Sequence, residues 1–355
     1  MKKNYTEDFS QKKLKITRRK SVDLSQEYVV NIGNLQKNQN LPLLLEPNIE
    51  GLNSMSWFKK NRDFIKVNLL KYGGILFRNF NFTSVAEFEQ LMKVISNDMM
   101  RYTYRSTPRS HVSGNVYTST EYPAYQSIPL HNEMSYSHNW PLIVGFFCIQ
   151  PSEQGGETPI ADSRRILTNL NPKIVEKFRQ KKVMYVRNYQ DGLDLSWENV
   201  FQTTDKSEVE NYCKSFGIDC EWKSSNHLRT RQVCQAIAIH PQTGESVWFN
   251  QAHLFHVSSL ESSVRDFLFA NFQEEDFPRN SYYGDGSPIE ESVLEEIHQI
   301  YHQEKIIFPW CKGDILMLDN MLFSHGREPF IGSRKVVVAM AESFHQLKTS
   351  NINIS

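Results

Sequence analysis

From about residue 115 the apolar residues of this chain come in short runs separated by turn-forming clusters, and that rhythm limits the folds open to it. "GNVYTST", "SIPLHNEMSY", "LIVGFFCIQ" and "ETPIADS" follow one another between positions 114 and 163. "VMYVRNY", "QAIAIHP" and "SVWFNQ" come later, the last two joined by Gln242-Thr243-Gly244-Glu245 as a hairpin loop. "KGDILMLDN", "MLFSHG" and "RKVVVAMAESFH" close the sequence. Runs this short, bounded by turn residues, read as strands. Helical patterning is confined to a few places. Residues 55–74 form an amphipathic stretch ending at Gly73-Gly74, with "ILFRNF" following as a buried strand. Ser84 and Glu87 then make a capping box for a helix whose Phe88, Leu91, Met92 and Ile95 share one face. Residues 258–275 and 288–304 also read as helical, the second with Val293, Leu294, Ile297, Ile300 and Tyr301 on its apolar side. Short strands with helices before and between them predict a mainly β fold with flanking helices, a distorted sandwich or barrel.

With 355 residues and no compositional break after residue 50, we expect one domain over residues 46–348, with helical insertions near 170–235 and 258–305. Residues 1–45 are rich in Asn, Gln and Lys around one apolar patch, "EYVVNIG", and read as a polar, partly ordered arm. Its basic run "KKLKITRRK" reads as a solvated tail. Forty basic and forty acidic residues balance, so no net field draws the chain to nucleic acid or an anionic membrane. The five cysteines contain no C-x-x-C, which fits reduced thiols in a cytoplasmic protein. No apolar run reaches membrane-spanning length. Oligomeric state leaves no mark on the sequence.

His-x-Glu occurs twice, at His131/Glu133 and His302/Glu304. In a strand, residues i and i+2 point to one face and can share a metal ion; in a helix they diverge by about 200°. His302/Glu304 falls in a helical stretch and reads as a solvated pair. His131/Glu133 lies in a β-like stretch between Pro129 and Pro141 and passes the test. A third ligand is needed. His325, closing the run "NMLFSHG" before Gly326, is the best candidate, with Gly326 letting the backbone turn; His253 and His256 in "FNQAHLFH" are its rivals.

Two histidines and a carboxylate on one face of an octahedron leave open positions, which suits non-haem Fe(II) and oxygen activation better than a closed zinc site. A bidentate 2-oxo acid supplies the electrons such chemistry needs. Its far carboxylate asks for a cation and a hydroxyl: Arg334, opening "RKVVVAM", and Thr158 in "GGETPIADS".

"HNE", "GGETPIADSR", "DNMLFSHGREPF" and "GSRKVVVAM", in this order over roughly residues 60–345, resemble the TauD/TfdA family of Fe(II)/2-oxoglutarate-dependent dioxygenases. "YTSTEYPAYQSIPLHNEMSYSHNWP" is most similar to the syringomycin-biosynthesis type, which hydroxylates amino acids, often on nonribosomal peptide carriers. The resemblance implies a double-stranded β-helix core of the jelly-roll, clavaminate-synthase-like kind. It also implies Fe(II), 2-oxoglutarate and O2 as cofactors, and His131, Glu133 and His325 as metal ligands. Thr158 and Arg334 would bind 2-oxoglutarate, with Arg327 as the alternative anchor. Glu133 stands where halogenating relatives carry a small residue, which points to hydroxylation or desaturation. The implied substrate is an amino acid, free or on a peptidyl carrier protein, oxidised at an unactivated carbon such as the β-carbon. A small sulfonate or carboxylate, or a non-catalytic 2-oxoglutarate-binding module, are the other readings. Arg105, Arg109, Tyr136, Asn250 and Arg327 are the candidate substrate contacts, while Asp319-Asn320 reads as a turn-stabilising pair.

Overall fold

A computed structural model describes residues 29–346 except 37–38, 97, 102–103, 105, 108, 120–121, 191 and 224–225. Its largest element is an eight-stranded sheet. The strands run, in order, Val30–Gln36, Gln39–Pro47, Gly74–Phe77, Ile315–Asp319, Asn139–Gln150, Lys335–His345, Val116–Thr118 and His111–Ser113. A three-stranded sheet, Ile128–His131, Phe323–Arg327 and Ile160–Asp162, packs on one of its faces.

The two-residue period of the central strands explains this layering. Val144, Phe146, Leu316, Leu318, Val336 and Val338 share a core with Leu130, Ile160 and Phe323 of the smaller sheet. Their neighbours Ile143, Phe147, Ile315, Met317, Val337 and Ala339 instead bury Phe58, Ile65, Phe88 and Leu91 of the helices behind. Both faces are covered, so these strands are apolar throughout, as the sequence shows. Gly145 allows the close fit, since a Cβ there would lie 2.6 Å from Met92 Sδ. The facing sheets form the double-stranded β-helix core that the motifs imply.

The capping box is present: Ser84 accepts from Glu87 N, and Glu87 reaches back to Ser84 N. Three sequence expectations need correction. The helix expected over 55–74 is two, Ser54–Lys60 and Arg62–Tyr72, because Asn61 departs from helical geometry at φ −108 and ψ 18. The polar, partly ordered arm expected over residues 1–45 contains two strands, Val30–Gln36 and Gln39–Pro47; the second pairs in parallel with Gly74–Phe77 and buries Leu43 and Leu45. Residues 1–28 lie outside the described residues. The insertions expected to be helical carry a four-stranded antiparallel sheet of Asp219–Trp222, Leu228–Cys234, Val183–Tyr189 and Arg279–Tyr283. The last strand, "RNSYY", hides behind its polarity because Asn280 and Ser281 are buried with hydrogen bonds to Glu274 and Ala252. All five cysteines are free. Among the described residues no helix is long and apolar enough to cross a membrane.

Candidate active site

Phe323–Arg327 places His325 directly across from His131, the two being register partners in the smaller sheet. Their rings are 4.6 Å apart. One ligand atom from each of His131, Glu133 and His325 lies within 4.8 Å of the others, and all three residues are buried. His131 Nδ1 donates to Pro129 O at 2.8 Å, which leaves Nε2 with its lone pair free to bind a metal. Burial, with help from His325, pushes the His131 pKa down to about 4, so the imidazole is neutral. Burial alone would raise Glu133. The Arg109 guanidinium at 2.6 Å and the two imidazoles outweigh it and hold the carboxyl well below the usual range. The neutral His131 imidazole, the His325 imidazole facing it and the ionised Glu133 carboxylate, all buried and with ligand atoms within 4.8 Å of one another, are a donor set that fits Fe(II).

Glu133 does not share a strand face with His131. The strand ends at His131, and Glu133 sits in the following turn, where Met134 takes φ +57. Asn320 sets its position instead: Asn320 Oδ1 accepts from Glu133 N at 2.7 Å, and Nδ2 donates to Glu133 O at 2.9 Å and Pro141 O at 2.9 Å. Gln251 Nε2 and Asn320 O hold the intervening Asn132. Asp319 has the turn role expected of it, accepting from Met321 N and Leu322 N. Asn320, read as its companion, is in fact the clamp of the acidic ligand. Gly326 likewise serves another purpose than a turn. It lies within the strand, and a Cβ would meet Ile128 O at 2.5 Å, so glycine is needed for the strands to approach.

Arg334 and Thr158 line the same cavity as His131, His325 and Phe146. Arg334 donates from Nε to Gly156 O at 2.7 Å, from Nη1 to Ser119 Oγ at 3.2 Å and from Nη2 to Thr158 Oγ1 at 3.4 Å. Among the described residues it has no carboxylate partner. Burial, then the nearby Arg327, pushes its pKa down to about 10, a penalty on the cation that a bound anion would relieve. That is the fit expected for the far carboxylate of 2-oxoglutarate. Arg327 also borders the cavity, but its guanidinium donates to Tyr122 O, Pro123 O and Gln126 O and ties down that loop. Geometry therefore favours Arg334 over Arg327 as the anchor. Ser119 and Trp310, whose indole donates to Thr158, were missed in the sequence because a lone Ser and a lone Trp carry no motif.

Of the candidate substrate contacts, Arg109 is brought to the cavity and Arg105 lies outside the described residues. Tyr136 belongs to the core, donating to Tyr104 O and packing on Phe255. Asn250 is fully buried, donating to Ala236 O and accepting from Ala252 N. Neither borders the cavity. His138 lies away from it as well, against the carbonyls of Phe216 and Val233. His302 is on the helix Glu291–Glu304, where Glu304 pairs with Arg165, as the helical argument requires. His256 bonds Ser258.

His253, the other rival ligand, donates from Nε2 to Leu130 O at 3.0 Å behind His131. Burial, then His298, pushes its pKa down to about 3. The folded protein thus keeps His253 neutral while the unfolded chain takes a proton below about pH 6.5. Its stability contribution is complete above that pH and is lost as pH falls toward 3, with a slope of up to about 1.4 kcal/mol per pH unit. Urea midpoints measured against pH should fall through this window, and His253→Gln, which keeps a donor for Leu130, should flatten the slope. An unchanged slope would remove His253 as its source.

Residues 40–340 match the profile of the family described as taurine catabolism dioxygenase TauD, TfdA family. The chain is 42% identical over 283 residues to the dapdiamide synthesis protein DdaC of Enterobacter agglomerans, covering 80% of this chain and 86% of that protein. It is 27% identical over 294 residues to a clavaminate synthase-like protein of Arabidopsis thaliana, again 80% and 86% of the two chains. Among solved structures it resembles PvcB, an Fe, alpha-ketoglutarate dependent oxygenase from an isonitrile synthetic pathway. The TM-score is 0.53 at 15% identity, covering 92% of this chain and 97% of that one. A taurine dioxygenase from Burkholderia xenovorans gives a TM-score of 0.51 at 13% identity, covering 89% and 94%. Likeness at that identity bears on the fold alone.

Proposed function

The chain belongs to the TauD/TfdA family of Fe(II)/2-oxoglutarate-dependent dioxygenases, and from that premise we propose that it hydroxylates an amino acid, free or carried by a peptidyl carrier protein, in specialised-metabolite biosynthesis. The observation that carries the reading is that His131 and His325, whose ligand atoms cluster with that of Glu133, line one cavity with an Arg334 cation that has no carboxylate partner among the described residues. His131, Glu133 and His325 would hold Fe(II); Thr158 and Arg334 would hold the far carboxylate of 2-oxoglutarate. Bound there, the two would supply the electrons that activate O2, one oxygen atom going to an unactivated C–H such as that of a β-carbon and the other to succinate, with CO2 released. The chain's own part is positioning and exclusion of water. Pro129 O fixes the His131 tautomer, Asn320 fixes Glu133, and Phe146 lies edge-on to His325 at 4.9 Å, giving the site an apolar wall. Support for a biosynthetic role comes from the similarity to a dapdiamide synthesis protein.

Anaerobic addition of Fe(II) and 2-oxoglutarate should produce the weak visible charge-transfer band of the chelate. Amino acids are then offered free and loaded on a carrier domain, in air, and the products weighed by mass spectrometry. Gain of one oxygen atom with matching succinate supports hydroxylation. Protein that shows the chelate band yet oxidises neither form would remove the amino-acid assignment.

A further inference from the structure

The Thr158 hydroxyl has both of its acceptor positions filled by protein. Trp310 Nε1 donates to Oγ1 at 3.1 Å, and Arg334 Nη2 donates to it at 3.4 Å. A hydroxyl offers one donor and two lone pairs, so only its O–H remains for a ligand in the cavity. An indole N–H can only donate, and a guanidinium can only donate. Neither neighbour is able to reverse its role, and the polarity of the Thr158 hydroxyl is set before any ligand arrives.

Trp310 is well placed to enforce this. It is buried at 8% exposure in the segment leading into the strand Ile315–Asp319. That segment is anchored on both sides of the indole. Arg78 donates to Pro309 O at 3.0 Å and pairs with Asp314 at 2.7 Å, and Asp314 accepts from Cys311 N at 2.8 Å. From the other side, Gly156 O accepts from Arg334 Nε at 2.7 Å and holds the guanidinium beside Thr158; a Cβ at position 156 would lie 2.9 Å from Arg334 Cδ, so glycine leaves the arginine room to lie there.

We propose that Trp310 is a positioning residue that makes Thr158 an obligate donor and thereby selects a carboxylate over a carboxamide at the far end of the 2-oxo acid. The inference rests on the proposed assignment of Thr158 and Arg334 to 2-oxoglutarate. A carboxylate accepts from every donor the pair presents. A carboxamide turns an N–H toward at least one of them and loses that contact, and a site built from fixed donors rejects such a mismatch strongly.

Mn(II)-loaded protein, which binds without turning over, is titrated calorimetrically with 2-oxoglutarate and with its 5-amide. Wild type should prefer the diacid by roughly a hundredfold or more. Trp310→Phe frees one lone pair on Thr158, so the hydroxyl can rotate and accept an amide N–H. The preference should shrink about tenfold while Mn(II) affinity stays unchanged. β-(3-Benzothienyl)alanine at position 310 keeps the bicyclic shape and removes only the N–H; it should act like Phe, and it serves if the Phe variant folds poorly. In a Thr158→Val background, Trp310→Phe should leave the preference where it is. Equal weakening of both ligands, with the ratio preserved, would make Trp310 merely structural and overturn the inference. Wild type that binds neither ligand would overturn the underlying assignment of the subsite itself.

Discussion

Glu133→Ala should abolish divalent-metal binding, and succinate formation with it. Losing a supporting contact to a metal ligand typically costs 10–100-fold in affinity, so losing the ligand itself should cost more than about 100-fold. Stability should fall as well. The variant leaves the Arg109 guanidinium buried beside an alanine instead of the carboxylate at 2.6 Å, a change worth roughly 3 kcal/mol. The two effects separate cleanly. Asn320 grips the backbone N and O of residue 133, not its side chain, so Glu133→Gln keeps the turn and still loses the anionic donor. Adding Arg109→Leu to Glu133→Ala removes the buried cation that has lost this carboxylate and should recover part of the thermal stability while metal affinity stays lost. Calorimetric Mn(II) titration together with thermal unfolding reads both. Unchanged Mn(II) affinity in Glu133→Gln would take Glu133 out of the triad.

How much of this was legible in the sequence differs between the core and the site's supports. Strands read well because both faces of the large sheet are covered, and Val144 and Phe147 are buried alike. Gln39–Pro47 was missed because its apolar run "LPLLL" is embedded in a polar stretch and pairs with residues 32 positions further along, Leu43 with Ile75 for example. The structure brings His131 and His325 into register and Glu133 close to both, but it does so for Glu133 by another route than the sequence suggests. Strand periodicity predicted a shared face, whereas a turn held by Asn320 delivers it. The supports are invisible to motif reading because each acts through one polar atom on a residue distant in the chain. Asn320 lies 187 positions from Glu133, and Trp310 lies 152 from Thr158. Arg327 and Arg334 are both arginines at plausible spacing, and only the carbonyls of Tyr122, Pro123 and Gln126 around Arg327 tell them apart.

Arg334→Met should separate the fate of the cofactor from that of the fold. In the free protein Arg334 is a partly buried cation whose ionised form is disfavoured by burial and by Arg327, so its charge contributes nothing to holding the sheets together. The Met side chain fills much of the same volume, gives up the bonds to Gly156 O, Ser119 and Thr158, and removes that disfavoured charge. These changes oppose one another, and thermal stability without ligand should move by no more than about 1 kcal/mol. Ligand binding should behave otherwise. The guanidinium supplies the charge-assisted donors for the far carboxylate, and losing them should weaken 2-oxoglutarate by about 100-fold, with the two-donor geometry making Arg334→Lys an incomplete rescue. Binding that favours the folded state raises its stability by RT ln(1 + [L]/Kd). Saturating 2-oxoglutarate with Mn(II) should therefore raise the melting temperature of wild type and leave Arg334→Met almost unmoved, while Mn(II) alone should stabilise both. If Arg334→Met responds to 2-oxoglutarate as wild type does and Arg327→Met does not, the anchor is Arg327, and the carbonyls around it must be given up when the acid binds.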